Sequence, residues 1–136
     1  MNVAAAILIY DGKILCFKRK PSRSKYTSCK YEFPGGKVKK NESYIKAIKR
    51  ELKEELNLEV KKLSLFYKNF FSYPNLTVNL RFYTSRISDL DFSLKEHISY
   101  RVLELKDLRS VEWLAADYPV INYMEKKLVF FNKLIN

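Results

Sequence analysis

The chain has 136 residues, 47% of them hydrophobic and 15% aromatic, which suits one hydrophobic core and excludes a disordered protein. Lys and Arg number 26 against 15 Asp and Glu, a net charge of +11 with a pI near 9.6, so the favoured partners are anionic: nucleic acid, an anionic membrane surface or a free polyphosphate. No apolar run is long enough to span a bilayer, no export signal is visible, and Cys16 and Cys29 are too few for a disulfide framework or a zinc site. The expectation is a single cytoplasmic domain over residues 1–136.

In chain order, Val3–Tyr10 reads as a buried strand, Asp11-Gly12 as a hairpin turn and Ile14–Lys18 as the returning strand. A basic, Ser-rich loop carrying Arg19, Lys20, Arg23, Lys25 and Lys30 leads to Tyr31-Glu32-Phe33. Pro34-Gly35-Gly36 then predicts a turn where backbone can approach a ligand closely. A helix follows, capped by Asn41 or Ser43, with Ile45, Ile48, Leu52 and Leu56 on one stripe and Asn57 ending it in the left-handed conformation. Leu58–Phe71 and Leu76–Ser85 alternate as the strands of a second hairpin around Tyr73-Pro74-Asn75. A short strand near Tyr100–Leu103, a helical turn near Lys106–Leu108 and a last helix from Pro119, with Val120, Tyr123, Met124, Lys127, Leu128 and Phe131 at helical spacing, complete a mixed α/β chain: a mixed sheet between helices.

One acidic island interrupts the basic sequence. Arg50-Glu51-Leu52-Lys53-Glu54-Glu55 sets three carboxylates at helical spacing on an arc beside the apolar stripe. Oxygen ligands in that pattern suit Mg²⁺ or Mn²⁺, ions that keep several waters and engage substrate phosphates in their remaining positions. A solvated helix face, in which Lys46, Lys49, Arg50 and Lys53 pair with the acids, is the better account of the carboxylates when they are taken alone.

Spacing decides between them. Gly36, five residues, Glu42, seven residues, then Arg50-Glu51-Leu52-Lys53-Glu54-Glu55-Leu56-Asn57-Leu58 resembles the Nudix box, with Asn57 standing where the box has Gly. Six such identities coincide by chance in a chain of this length roughly once in 100,000. Asn tolerates the same positive φ, so the departure is mild. Glu32-Phe33-Pro34-Gly35-Gly36-Lys37-Val38 and Trp113–Ile121 resemble further segments of the MutT branch of that family.

The resemblance implies an α/β/α Nudix sandwich that cleaves (deoxy)nucleoside triphosphates, oxidised or modified ones of the 8-oxo-dGTP or CTP type included, to monophosphate and pyrophosphate with Mg²⁺ or Mn²⁺. It implies Glu51, Glu54, Glu55 and the Gly35 carbonyl as metal-site groups, with Glu96 as metal ligand or water-activating base. The base role stays undivided between Glu51 and Glu96. Arg50 and Glu42 correspond to an orienting pair around the catalytic helix, and Arg19 to a nucleotide-contacting arginine. Lys37 belongs to the basic surround of the phosphates. Asp117 is either the cap of the last helix or a reader of the nucleobase, where its carboxylate can accept from an exocyclic amine. Phe33 either stacks on a base or packs beneath the turn. His97, the one histidine, reads as a loop residue.

Two other functions compete: hydrolysis at the 5′-triphosphate end of RNA, motivated by the charge, and a non-catalytic nucleic-acid-binding module on the same fold. Monomer and homodimer stay open.

Overall fold

A computed structural model describes residues 1–127. Its strands are β1 (Asn2–Tyr10), β2 (Lys13–Lys18), β3 (Tyr31–Glu32), β4 (Gly35–Lys37), β5 (Ser64–Tyr73), β6 (Leu76–Arg86) and β7 (Ser99–Leu103). Its helices are α1 (Tyr44–Leu56) and α2 (Tyr118–Lys126). Short 3₁₀ segments at Leu105–Ser110 and Ala115–Asp117 lead into α2. Leu128 and Phe131, assigned from spacing to the last helix, lie outside the described residues. Among those residues no helix is long and apolar enough to cross a membrane.

The sheet is mixed, in the order β3-β2-β1-β6-β5, with β1 parallel to β6 and antiparallel to β2. Strand β1 is buried on both faces because both are covered. Ala4, Ala6 and Leu8 pack with Leu15 and Phe17 against Ala47, Ile48, Leu52 and Leu56 of α1. Ala5, Ile7 and Ile9 face the opposite layer, where Leu108, Trp113, Val120, Ile121 and Met124 close the second core. Two helical layers on one mixed sheet make the expected α/β/α sandwich.

Several boundaries differ from the sequence reading. Of the expected turn only Pro34 bends: Gly35 and Gly36 form β4, paired antiparallel to β1 as Ala5↔Gly35 and Ala4↔Gly36. A Cβ built on Gly35 would stand 2.0 Å from the Ala4 carbonyl oxygen, and its φ of +154° suits glycine. The tight alanines of β1 and the bare glycines of β4 thus serve one close backbone contact.

Ile45 falls off the buried stripe of α1, 40% exposed, because Ala47 rather than Ile45 faces the sheet one turn before the Glu51 level. Residues 58–63 form a loop, and strand pairing starts only at Ser64. Both ends of α1 follow the sequence: the Ser43 side chain accepts from the Lys46 N–H, and Asn57 takes the left-handed conformation (φ 52°, ψ 39°), its N–H donating to Lys53 O.

Candidate active site

Strand β4 runs between β1 and α1, so the helix face bearing the glutamates looks onto glycine backbone. A Cβ on Gly36 would stand 2.5 Å from the Glu51 carboxyl carbon, so the bare backbone lets that carboxylate fold against the strand. Arg50 holds the other side. Its Nε and Nη2 donate to both oxygens of Glu42 at 2.9 Å, Nη1 donates to Glu51 Oε1 at 2.7 Å, Nη2 also reaches the Lys37 carbonyl at 2.9 Å, and Glu54 lies 3.6 Å away. The bidentate pair holds the Glu42 carboxyl down near pKa 2. Of the cations that a solvated face would set against the acids, Arg50 does pair with Glu51 and Glu54, while Lys53 turns away to Glu59.

Glu55 is the buried member, 7% exposed, with Oε2 lacking any protein partner. Burial, then the neighbouring Glu32 and Glu51 carboxylates, push its pKa up to about 9, against a hydrogen bond from the Gly35 backbone. An orphaned carboxylate oxygen beside two more acids fits a divalent cation held by oxygen donors. Glu51, Glu54 and Glu55 could hold it, together with carbonyl and loop groups. Glu96 is exposed on a loop tied to the end of α1 by Ser93 N–H to Leu56 O and Lys95 N–H to Glu55 O, and to β2 by Ile98 N–H to Lys18 O.

The far end of the cleft is made where β3 meets the segment before α2. Tyr31 pairs with Trp113 through Tyr31 N–H to Glu112 O and Leu114 N–H to Tyr31 O, which lays Asp117 beside Phe33. Asp117 makes no capping hydrogen bond to α2, so of its two readings the cap is the one the structure does not support. Its carboxyl is buried, accepts from the Phe33 backbone and leaves Oδ2 unpartnered; burial first, and Glu32 second, raise its pKa well above the usual range. Phe33 takes the packing alternative: its ring is 3% exposed, 4.6 Å from Trp113 and edge-on to Phe82.

Arg19, Phe33, Gly35, Lys37, Glu51, Glu54, Glu55, Glu96 and Asp117 all line one cleft of about 870 Å³, within the range of small-molecule sites; Arg50 stands behind the carboxylates. Sequence reasoning missed three lining groups. Glu32 was quoted without a role, and its oxygens meet Arg19 and His97. His97 lies on the loop between β6 and β7, as expected, but is buried there against Phe17, with Nε2 2.7 Å from Glu32 and 3.9 Å from Glu55. Tyr73, at the end of β5, accepts from the Ala116 N–H beside Asp117. The signal for His97 was its place next to Glu96; for Tyr73, nothing local separated it from the alternating aromatics.

Carboxylates gathered without enough counter-charge at one end of a cation-lined cleft belong to the class of metal-dependent hydrolases of phosphate anhydrides. The NUDIX domain family model matches residues 1–123, and the chain belongs to the Nudix family of hydrolases, which generally use a divalent metal. It is 36% identical over 106 residues, 77% of this chain and 85% of the relative, to an 8-oxo-dGTP diphosphatase of Buchnera aphidicola from Acyrthosiphon pisum. A CTP pyrophosphohydrolase of Escherichia coli is 48% identical over 59 residues, 43% of this chain and 42% of that one. Among solved structures, the MutT protein of Methanosarcina mazei superposes with TM-score 0.81 at 22% identity over 93% of this chain and 94% of that one. The E. coli ORF135 protein superposes with TM-score 0.80 at 26% identity over 93% and 89%.

Two predictions follow from this geometry. Gly36→Ala forces the flexible Glu51 carboxylate aside rather than any backbone. Hydrolysis therefore falls at least about tenfold while the thermal midpoint moves by only a few degrees, checked by steady-state kinetics beside calorimetry. Glu55 supplies the second. Its folded pKa lies above its unfolded value of 4.5, so the stability linked to its proton is fully present below pH 4.5 and is lost as pH rises toward 9. Asp117 acts in the same direction. The midpoint of the metal-free protein falls between pH 5 and 9, and Mg²⁺ restores more of it at pH 8.5 than at pH 5.5; a midpoint that rises over that range contradicts the assignment.

Proposed function

We propose that the protein is a nucleoside triphosphate pyrophosphohydrolase that uses Mg²⁺ or Mn²⁺ to release monophosphate and pyrophosphate. The observation that carries the reading is the two-ended cleft: an oxygen-donor cluster at one end, and at the other a buried carboxyl with an unpartnered oxygen, Asp117. The activities of the relatives named above support the same reaction class, and with it substrates of the 8-oxo-dGTP or CTP type.

In this reading Glu51, Glu54 and Glu55, with the Gly35 carbonyl and Glu96, hold the metal, which supplies Lewis-acid neutralisation of the polyphosphate when bound. Arg50, clamped to Glu42, fixes Glu51 and restrains Glu54. Glu51 or Glu96 takes the proton of the attacking water, whose oxygen bonds to phosphorus as the bridging P–O bond breaks and pyrophosphate leaves. Lys37 and Arg19 draw the anion in, and Asp117 meets the polar edge of the base. The wall of Phe33, packed on Trp113, shapes the base end. The charge of +11 favours one further substrate of the same bond type, the 5′-triphosphate end of RNA.

The half-exposed side chain of Glu54 makes it the cleanest variant, because its loss opens no core. Glu54→Gln lowers kcat at least about a hundredfold with the fold intact. A pyrophosphate-release screen across the common nucleoside triphosphates, 8-oxo-dGTP, 5-methyl-dCTP and a 5′-triphosphate RNA gives selective turnover of a free nucleotide; turnover of the RNA alone moves the substrate to nucleic-acid ends, and silence on all overturns the reading.

A further inference from the structure

Two groups without a role in the proposed chemistry, Glu32 and the buried His97, form a line with Arg19. Glu32 spends one oxygen on each neighbour, Oε1 on Arg19 Nη1 at 3.1 Å and Oε2 on His97 Nε2 at 2.7 Å. His97 is 5% exposed: its ring lies 5.4 Å from Phe17, and the next residue's N–H is tied to Lys18 O at 3.0 Å. Its Nε2 faces the carboxylates of Glu32 and, at 3.9 Å, Glu55, surroundings in which a nitrogen serves as a donor. Arg19 in turn lines the cleft, where Glu32 and Asp117 both feel its charge, and only one of its five donors goes to Glu32.

We propose that His97 is a positioning residue for substrate: it holds Glu32 by a hydrogen bond, and Glu32 holds the Arg19 guanidinium toward the nucleotide at the Asp117 end of the cleft. The device explains why a further carboxylate, Glu32, stands beside the metal end without joining the donor set: both its oxygens are engaged. It also explains what the line prevents. Freed from Glu32, the guanidinium has a buried carboxyl to turn to, Asp117 with its unpartnered Oδ2, and that pairing would occupy the base end before a nucleotide arrives. The competing role for the same atoms is metal ligation, since Glu32, Glu55 and His97 offer ligand atoms within 4.8 Å of one another. The two roles differ in where the proton sits: a positioning Nε2 carries one, a ligating Nε2 does not.

This inference rests on the nucleotide reading for its kinetic arm only. His97→Leu removes the donor; His97→Gln returns an amide N–H near the position of Nε2. With the preferred nucleoside triphosphate, the Leu variant shows a KM raised about tenfold or more, kcat within about threefold and an unchanged Mg²⁺ requirement, while the Gln variant stays within about threefold of the parent on all three. A raised Mg²⁺ requirement with unchanged KM assigns His97 to metal and overturns the proposal, and so does failure of Gln to recover what Leu loses. Because the chain has one histidine, the imidazole ¹⁵N–¹H spectrum of the unmodified protein is unambiguous without any substrate. It shows Nε2 protonated, unchanged on adding Mg²⁺ and shifted by Glu32→Gln; a deprotonated Nε2 contradicts the proposal even if the Leu variant fails to fold. A protein that turns over no nucleotide yet gives the expected spectrum overturns the substrate reading and leaves the hydrogen-bonded line standing.

Discussion

The cleft depends on how closely the bare backbone of Gly35-Gly36 lies between β1 and α1. On one side the Ala4 carbonyl occupies the space a Gly35 side chain would need; on the other the Glu51 carboxylate occupies the space of one on Gly36. No residue with a Cβ satisfies both contacts without displacement. Once β4 is in place, the register of α1 decides the rest: its apolar stripe of Ala47, Ile48, Leu52 and Leu56 must face the sheet, so Glu51 and Glu55 are carried to the edge that looks onto β4.

That constraint costs electrostatic energy, and the site is organised around the cost. Arg50 offsets Glu42 and Glu51, Arg19 and the His97 N–H offset Glu32, and Glu55 is left as a buried acid with no cation of its own. A buried charge without a partner is neutralised by a proton or by a metal ion, and the raised pKa of Glu55 is the metal-free form of that statement. Under the proposed function, the stability that burial of Glu55 costs would be returned when a divalent ion binds. The same reasoning applies at the opposite end, where Asp117 is buried with an oxygen to spare for a ligand.

Much of this was legible in the amino-acid order, for reasons that can be named. Helix α1 announced itself through local chemistry: a Ser43 cap, 3.6-residue periodicity and Asn57 at the left-handed end, all decided within a few residues of one another. The Nudix-box spacing tied Gly36 to Glu51, Glu54 and Glu55 because helix geometry fixes what spacing means. The glycine pair was misjudged as a turn because its need for glycine comes from a neighbouring strand and helix, which no local pattern reveals. Ile45 looked like core at helical spacing, yet the helix leans on Ala47. Glu32 and His97 are 65 positions apart and meet only through the pairing of β3 and β7 with β2, so their hydrogen bond was out of reach of any reading of short segments.

The central claim is that metal and nucleobase occupy opposite ends of one cleft, the first among Glu51, Glu54 and Glu55 and the second against Asp117. A crystal structure with Mn²⁺ and a non-hydrolysable nucleoside triphosphate, with the metal located by anomalous scattering, tests it most directly. The account predicts manganese density among those glutamates, the polyphosphate along Lys37, and a base edge within hydrogen-bond distance of the Asp117 carboxyl with Arg19 at that end. Manganese elsewhere, or a base lying outside the cleft with Asp117 untouched, would contradict it.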